Sequence, residues 1–248
     1  MGTPLAGGSA VVREKRAHPW GATVLLCLVF VFIGAFAFKV LGFYRGIQDG
    51  TLTAEAAYQS SRPSTTDAIA ALVANAEGSG ALATDDDPML GSADAPLTIV
   101  EFGDFGCPYT RSESYVMRAL AQRFPETIRY IYRDFPIEDL HPGAEMAARG
   151  GYCAHEQGKF WEYHDGIFLS GDVSDGAILA AADAADLELA AFTDCVNGDT
   201  AWDEVETDLA DGYAEGVRGT PTFFLNGETV EGAIPYDIFV AIIEAFIN

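Results

Sequence analysis

The most reactive residue types of the chain lie in one short stretch, residues 102–111, which reads FGDFGCPYTR. Cys107 follows an apolar run and precedes an amphipathic pattern, so its sulfur is expected at the start of a helix. Unpaired backbone N–H groups and the positive end of the helix dipole favour a thiolate there, and the thiolate is the nucleophilic form of cysteine. The position three residues later holds Thr110 instead of a second cysteine. The stretch therefore predicts attack by one sulfur, with no internal disulfide to donate.

Three other cysteines accompany Cys107. Cys27 lies in an apolar segment and is interpreted as a small hydrophobic side chain. Cys153 and Cys195 both lie in a region of helical pattern, where facing helices would bring them within reach of each other. Three arrangements stay open for this pair: a structural disulfide, two unpaired buried thiols, or a resolving role towards Cys107.

The overall charge excludes one class of partner. The chain has 37 acidic against 14 basic residues and a formal net charge of -23, so its surface repels nucleic acid. The histidines and cysteines show no spacing typical of a metal site. We therefore expect no metal, no cofactor and no nucleic-acid partner.

The elements around Cys107 follow from hydrophobic periodicity. Residues 97–102 are predicted to form a buried strand, residues 108–124 a helix and residues 128–133 a second strand, which together make one right-handed crossover unit. Residues 143–213 favour four or five short helices, and residues 222–231 favour a hairpin with an Asn-Gly turn, followed by a closing helix. The apolar face of the first helix is predicted to contain Tyr115, Val116, Ala119, Leu120 and Phe124.

The amino-terminal part favours attachment to a membrane. Residues 20–38 carry no charge, and a helix over residues 20–41 is long enough to span a bilayer. A cleaved signal peptide with Ala35-Phe36-Ala37 as its processing site is the competing interpretation. The basic residues on the amino side of this segment favour a cytoplasmic tail over residues 1–19 and an extracytoplasmic carboxyl-terminal domain, joined by a linker over residues 42–95.

Several local motifs occur together in a characteristic order. DDDPMLGSADAPLTIVEFGDFGCPYT is followed by HPGAEMAA, EQGKFWEYHD and GTPTFFLNG. This series resembles the DsbA-like branch of the thiol–disulfide oxidoreductases, including its membrane-anchored members. The resemblance implies an α/β thioredoxin fold over residues 96–248, with an inserted helical subdomain at about residues 142–214.

The same resemblance implies roles for individual residues. Cys107 would be the nucleophile, and Pro221 would follow Thr220 through a cis peptide bond and face the sulfur. Glu101 would be a buried acid that moves protons. The flanking dipeptide, Pro108 and Tyr109, would tune the thiolate and contact substrate, and the Thr110 hydroxyl could donate a hydrogen bond to the thiolate.

Two functions remain open from the sequence. The first is single-cysteine thiol–disulfide exchange, of isomerase or reductase type, on exported proteins that carry thiols or disulfides, with an unknown redox partner. The second is a non-catalytic thioredoxin-fold module that binds peptides or acts as a chaperone and has lost redox turnover.

Overall fold

A computed structural model describes residues 32–41, 45, 82–84 and 87–247. The chain divides into two compact units, residues 1–63 and 64–248. In the first unit, residues 32–41 are helical. Among the described residues, no helix combines the length and the apolar character needed to cross a membrane. Residues 1–31, which hold the predicted tail and the first part of the predicted anchor, lie outside the described residues.

The second unit is built on a five-stranded mixed sheet with strand order β1-β3-β2-β4-β5. Strands β2 and β3 run parallel and are connected by helix α1, whereas β1, β4 and β5 join the sheet in antiparallel pairings. The strands are β1 (Met89–Gly91), β2 (Leu97–Gly103), β3 (Ile128–Asp134), β4 (Thr222–Leu225) and β5 (Glu228–Glu231), and α1 is Pro108–Arg123.

Strand β1 lies in a segment that the sequence assigned to the linker. Its three residues pair with β3, with Met89 opposite Ile131 and Gly91 opposite Arg129. Three residues are too few to show a period of two, so hydrophobic alternation could not identify this strand. The sheet therefore begins before the predicted boundary at residue 96.

Five helices occupy the connection between β3 and β4, in agreement with the predicted helical insertion. They are α2 (Ala144–Glu156), α3 (Phe160–Ser170), α4 (Asp175–Ala184), α5 (Leu189–Val196) and α6 (Asp199–Ala214). A disulfide between Cys153 and Cys195 ties α2 to α5, with their Cα atoms 5.9 Å apart. A final helix, α7 (Tyr236–Ile247), packs Phe239 against Phe223 of β4 at a ring distance of 5.3 Å.

The buried face of α1 differs from the predicted one. Leu120 is buried as expected, but Tyr115 is 51% exposed and Ala119 also faces solvent. The residues that α1 buries are Thr110, Glu113, Ser114, Met117, Leu120 and Ala121. Val116 and Phe124 pack partly buried against the core as predicted, so the apolar pattern identified part of this face and missed its polar members.

An aromatic residue anchors the cysteine loop to the helical insertion. The Phe105 ring stacks on Phe168 at 5.1 Å and lies 5.5 Å from Tyr132 and 5.9 Å from Tyr163. Tyr132 belongs to the sheet, whereas the other two residues belong to α3. Burial of this cluster fixes the loop between the two parts of the domain.

Candidate active site

Cys107 stands at the position that the sequence predicts, immediately before α1. It is the N-cap residue, with φ -79° and ψ 123°, and Pro108 occupies the first turn, where a missing N–H leaves no hydrogen bond unmade. The residue is only 4% exposed and carries a free thiol. Its backbone N–H donates to the carbonyl oxygen of Asp104 at 3.0 Å, which closes a tight turn at the end of β2.

The loop that faces Cys107 contains a cis peptide bond between Thr220 and Pro221. The Cys107 thiol donates to the Thr220 carbonyl oxygen, with Sγ and O 3.3 Å apart. Pairing of β2 with β4 sets this contact, because Phe102 lies opposite Thr222 at the ends of the two strands. The structure therefore brings together the cysteine and the proline that are 114 positions apart in the sequence (221 minus 107).

Thr110 is fully buried on the first turn of α1. Its Oγ1 accepts a hydrogen bond from the backbone N–H of Asp104 at 3.4 Å. Among the described contacts, Sγ of Cys107 has no hydrogen bond with Thr110. The hydroxyl oxygen supports the loop that precedes the cysteine, and donation of its proton to the Cys107 thiolate stays a prediction.

Asp104, which sequence reasoning left without a role, organises the loop before the cysteine. Its Oδ1 accepts from the Gly106 N–H at 2.7 Å, and its Oδ2 accepts from the Ile137 N–H at 3.0 Å. Oδ2 also lies 2.7 Å from Nδ1 of His141. The sequence signal was an aspartate two residues before a glycine, the pattern of a turn in which the side chain bonds its own backbone.

His141 contacts Asp104 and does not cap α2. Helix α2 begins at Ala144 with Gly143 as its N-cap. The approach of His141 also explains a glycine next to the cysteine. A Cβ atom on Gly106 would lie 2.5 Å from Cβ of His141, closer than side-chain carbons approach each other.

Glu101 lies in β2, six residues before Cys107, and is fully buried. Burial raises the pKa of this carboxyl from 4.5 to about 8, because removal from water penalises the charged form. A hydrogen bond from the Tyr130 hydroxyl to Oε2, at 2.8 Å, lowers the pKa, and the nearby charge of Glu113 raises it. Oε1 has no hydrogen-bond partner among the described residues. A carboxyl in this setting exchanges protons near neutral pH.

Glu113 is a second buried carboxyl that sequence reasoning missed. It lies on the buried face of α1 and is 4% exposed. Burial raises its pKa to about 7, and a backbone hydrogen bond from Ile234 opposes that rise. The only sequence signal was its spacing, since a residue three positions after Thr110 shares its helix face.

Exposed apolar side chains surround the buried sulfur. Tyr109, next to Cys107, is 65% exposed, and Leu140, next to His141, is 69% exposed. Arg111 donates to the carbonyl oxygen of Leu169, another exposed residue, at 3.3 Å. A shallow groove beside the cis bond is lined by Arg218, Gly219, Thr220, Pro221, Thr222, Glu231 and Gly232. Apolar surface around a groove marks a surface suited to binding polypeptide.

A family model described as thioredoxin matches residues 83–245. The chain belongs to the thioredoxin family. The match includes the cysteine loop, the helical insertion and the cis-proline loop, so this thioredoxin-family domain comprises the sheet and the inserted helices described above.

Curated relatives of this thioredoxin-family chain are much longer proteins. It is 36% identical over 150 residues to the Na(+)/H(+) antiporter NhaA 1 of Salinispora arenicola, covering 60% of this chain and 23% of that protein. It is 35% identical over 154 residues to NhaA 1 of Mycolicibacterium gilvum, covering 61% of this chain and 25% of that protein. The chain thus spans about a quarter of the length of these relatives.

Solved structures resemble the domain over nearly their whole length. A thioredoxin-like oxidoreductase from Silicibacter pomeroyi matches with a TM-score of 0.60 and 26% identity, over 65% of this chain and 92% of that one. BdbD from Bacillus subtilis gives a TM-score of 0.62 at 21% identity, and the match covers 69% of this chain and 99% of that one. The thiol-disulfide exchange protein alpha-DsbA2 from Wolbachia pipientis gives a TM-score of 0.61 at 19% identity, and the match covers 74% of this chain and 98% of that one.

These comparisons confirm the predicted fold, a mixed α/β thioredoxin fold with a helical insertion. BdbD and alpha-DsbA2 support the fold alone at their level of identity. The thioredoxin-family domain is similar to a thioredoxin-like oxidoreductase, and its Cys107 lies beside the loop that contains the cis-proline.

Proposed function

We propose that this thioredoxin-family protein carries out thiol–disulfide exchange on exported proteins through the single sulfur of Cys107. The observation that carries the proposal is the position of that sulfur. It is a free thiol at the start of α1, 3.3 Å from the carbonyl oxygen of Thr220, and Thr220 and Pro221 line a groove on the facing loop.

The chemistry balances with one protein sulfur. The Cys107 thiolate attacks one sulfur of a client disulfide, forms a mixed disulfide with it and releases the second client sulfur as a thiolate. A thiol of the client, or a small-molecule thiol, then attacks the mixed disulfide and regenerates Cys107. When the client supplies this second thiol, its disulfide is rearranged without net oxidation. When two external thiols act in turn, the client disulfide is reduced and those thiols become oxidised.

The groove beside Pro221 provides the binding surface. We assign client binding to an extended segment that lies along Thr220 and Pro221, with its disulfide directed at Cys107. Tyr109 and Pro108 are exposed on the opposite side of the sulfur and would contact the client's apolar side chains. Main-chain pairing in such a groove binds many sequences, because backbone groups are common to all clients.

Glu101 is assigned the transfer of protons to and from the reacting sulfurs. Its pKa of about 8 allows both protonation states at neutral pH, which suits a group that accepts and returns a proton. The Tyr130 hydroxyl holds one carboxyl oxygen, at 2.8 Å. The other oxygen has no partner in the described part of the chain and is available for the exchange.

For the cellular setting, we propose a single-pass anchor over residues 20–41 with the domain outside the cytoplasm. The uncharged run over residues 20–38 supports the anchor. The Cys153–Cys195 disulfide fits an oxidising compartment. The curated relatives are named as Na(+)/H(+) antiporters, and a domain beside a membrane agrees with that name. Protease treatment of intact cells would digest the domain; protection of the domain until the cells are lysed would refute this orientation.

A second candidate is a peptide-binding module without turnover. Thr110 favours it, since a buried hydroxyl stands three residues after Cys107 and no internal sulfur can release a bound client. In this case, the groove beside Pro221 would bind the same extended segments non-covalently.

A trapping experiment separates the two functions. The domain is incubated with a model protein that carries scrambled disulfides, quenched with acid, and analysed by non-reducing electrophoresis and mass spectrometry. For exchange, we expect adducts that form with wild type, dissolve in dithiothreitol and are absent with Cys107→Ser, together with recovery of client activity. Equal client binding by wild type and Cys107→Ser, with neither adducts nor recovery, would refute exchange and support the module.

A further inference from the structure

Four carboxylates meet at a cavity formed by the sheet and the helical insertion. We call this group the carboxylate pocket: Asp87, Asp134, Glu204 and Asp208. Asp87 precedes β1, Asp134 ends β3, and the other two lie four residues apart on α6. Residues at that spacing share a helix face, so α6 presents both carboxylates to the same side.

The oxygen atoms of this pocket have the spacing of a single coordination shell. One carboxylate oxygen from each of Asp87, Glu204 and Asp208 lies within 4.8 Å of the others. Oxygen ligands lie about 2.3–2.6 Å from Ca²⁺, so ligands on opposite sides of one ion are roughly 4.6–5.2 Å apart. The three oxygens thus fit around one ion without movement of the backbone.

Asp134 gives a second, independent observation. It lines the same cavity, is only 8% exposed, and its Oδ1 has no hydrogen-bond partner among the described residues. A buried carboxylate oxygen without a partner is costly, and native structures resolve such a group with a water or an ion. Asp134 thus adds an unpartnered carboxylate oxygen from a third segment of the chain to the lining of the cavity.

The arginine that contacts the pocket does not balance its charge. The buried Arg133 guanidinium contacts Asp208, lies 3.3 Å from Asp87 and reaches Asp211 at 2.9 Å. The single positive charge of this guanidinium is shared by three carboxylates, those of Asp87, Asp208 and Asp211. A divalent cation would remove much of the remaining negative charge, and carboxylate oxygens have enough lone pairs to bind it while they keep the guanidinium.

We propose that the carboxylate pocket binds one hard divalent cation of the Ca²⁺ class. The three donors with ligand spacing are all carboxylates, which favours such an ion over metals that prefer thiolate or imidazole; His155 also lines the cavity but is not in that group. The ion would link the segment before β1, the end of β3 and helix α6, and so fasten the helical insertion to the sheet. Asp134 pairs with Gly103 of β2, and Gly103 lies four residues before Cys107. The ion would therefore lie at the end of the sheet that also carries the active-site loop.

Terbium provides a direct probe, because Tb³⁺ occupies Ca²⁺ sites and luminesces when a nearby tyrosine is excited. Tyr132 and Tyr152 line the cavity and would act as donors. The titration is carried out in about 0.5 M NaCl, where binding to exposed acidic surface is screened. We expect saturable luminescence at one site, displaced by Ca²⁺ and not by the same concentration of Mg²⁺. Luminescence that does not saturate would overturn the proposal.

Matched variants test whether the pocket is responsible. Glu204→Gln and Asp134→Asn should lower Tb³⁺ and Ca²⁺ affinity at least about tenfold. Glu206→Gln, an exposed neighbour on α6, should leave affinity unchanged. In wild type, Ca²⁺ at about 100 times its Kd should raise Tm by about 5–10 °C relative to chelator. A Ca²⁺-independent Tm, or equal affinity losses in Glu204→Gln and Glu206→Gln, would refute a site in the pocket.

Discussion

The hydroxyl of Thr110 accepts a hydrogen bond from the backbone nitrogen of Asp104 at 3.4 Å, on the buried side of the cysteine loop. The threonine therefore supports the loop before Cys107 through its hydroxyl oxygen. A cysteine at this position is close to threonine in size and retains a weak acceptor, so the loop can keep its conformation with a second sulfur in place.

Thr110→Cys is accordingly expected to create a C-x-x-C pair that closes to an internal disulfide. The isolated, oxidised variant, shown by mass to carry no glutathione, should then oxidise a dithiol peptide, whereas glutathione-free wild type should not, because it holds no internal disulfide. Mass spectrometry of the peptide that spans residues 107–110, together with a fluorescent dithiol substrate, measures both outcomes. Thr110→Ser is the matched control, since it keeps the hydroxyl and adds no sulfur. Dithiol oxidation by wild type equal to that of Thr110→Cys would contradict the single-sulfur mechanism.

Glu101→Gln tests the buried acid through the pH dependence of stability. The folded pKa of Glu101 is about 8 and its ordinary value is 4.5, so the folded state binds a proton more tightly than the unfolded state between these values. The free energy of unfolding of wild type therefore falls as pH rises from about 4.5 to 8. The Glu101→Gln variant has no carboxyl to titrate at this position, so its free energy of unfolding does not fall in this way. The difference in free energy of unfolding between the variant and wild type should grow to the order of a few kcal/mol at pH 8.

Guanidinium unfolding of wild type and Glu101→Gln at several pH values between about 4.5 and 8.5 provides the measurement for this prediction. Glu126→Gln, at an exposed position in the turn after α1, is the control and should follow wild type. A constant difference between wild type and Glu101→Gln across this range would show that Glu101 does not titrate as a buried acid.

Asp104→Ala should destabilise the domain and expose the sulfur. The substitution removes the acceptor for the N–H groups of Gly106 and Ile137, which lie 2.7 and 3.0 Å from the carboxylate. An unmade hydrogen bond at a buried group costs about 1–3 kcal/mol, so we expect a loss of about 2–4 kcal/mol in the free energy of unfolding. Alkylation of Cys107 by iodoacetamide should also accelerate.

Asp139→Ala is the matched control for this prediction, because Asp139 is exposed on the same segment between β3 and α2. Chemical unfolding and the alkylation rate are compared for the two variants and wild type. If both variants behave alike, the role assigned to Asp104 is wrong.

Removal of the Cys153–Cys195 disulfide should lower stability without affecting the reactive sulfur. The bond closes a segment with a sequence separation of 42, and closure of a loop of this length stabilises a domain by about 2–4 kcal/mol. The double variant Cys153→Ala with Cys195→Ala should lose this amount and still form the Cys107 adduct. Adducts that accumulate well above the wild-type level in a variant shown to be folded by circular dichroism would instead indicate a resolving role for one of these cysteines, because loss of a resolving thiol leaves the mixed disulfide unreleased.

Local sequence patterns were sufficient to predict most of the strands and helices of the domain. The buried runs of β2 and β3 and the Asn-Gly turn between β4 and β5 are each encoded within a few residues. The resemblance to the DsbA-like branch implied that Pro221 faces Cys107. The pairing of β2 with β4 brings the two loops together in the structure.

The missed features depend on contacts between distant segments. The role of Asp104 depends on Ile137 and His141, and the environment of Glu101 depends on Tyr130 in the neighbouring strand. No local pattern indicates which distant group meets a given carboxylate. The polar buried face of α1 was missed for a related reason, since hydrophobic periodicity cannot identify a helix that buries Glu113 over an active site.

The two edges of the sheet have a consequence for behaviour at high concentration. Strand β1 is three residues long, and β5 begins and ends with glutamate, at Glu228 and Glu231. Short strands and repelling charges prevent the free edge of one molecule from pairing with that of another. The domain therefore resists edge-to-edge aggregation, and the backbone beside Pro221 can accept an extended client without also nucleating fibrils of the protein itself.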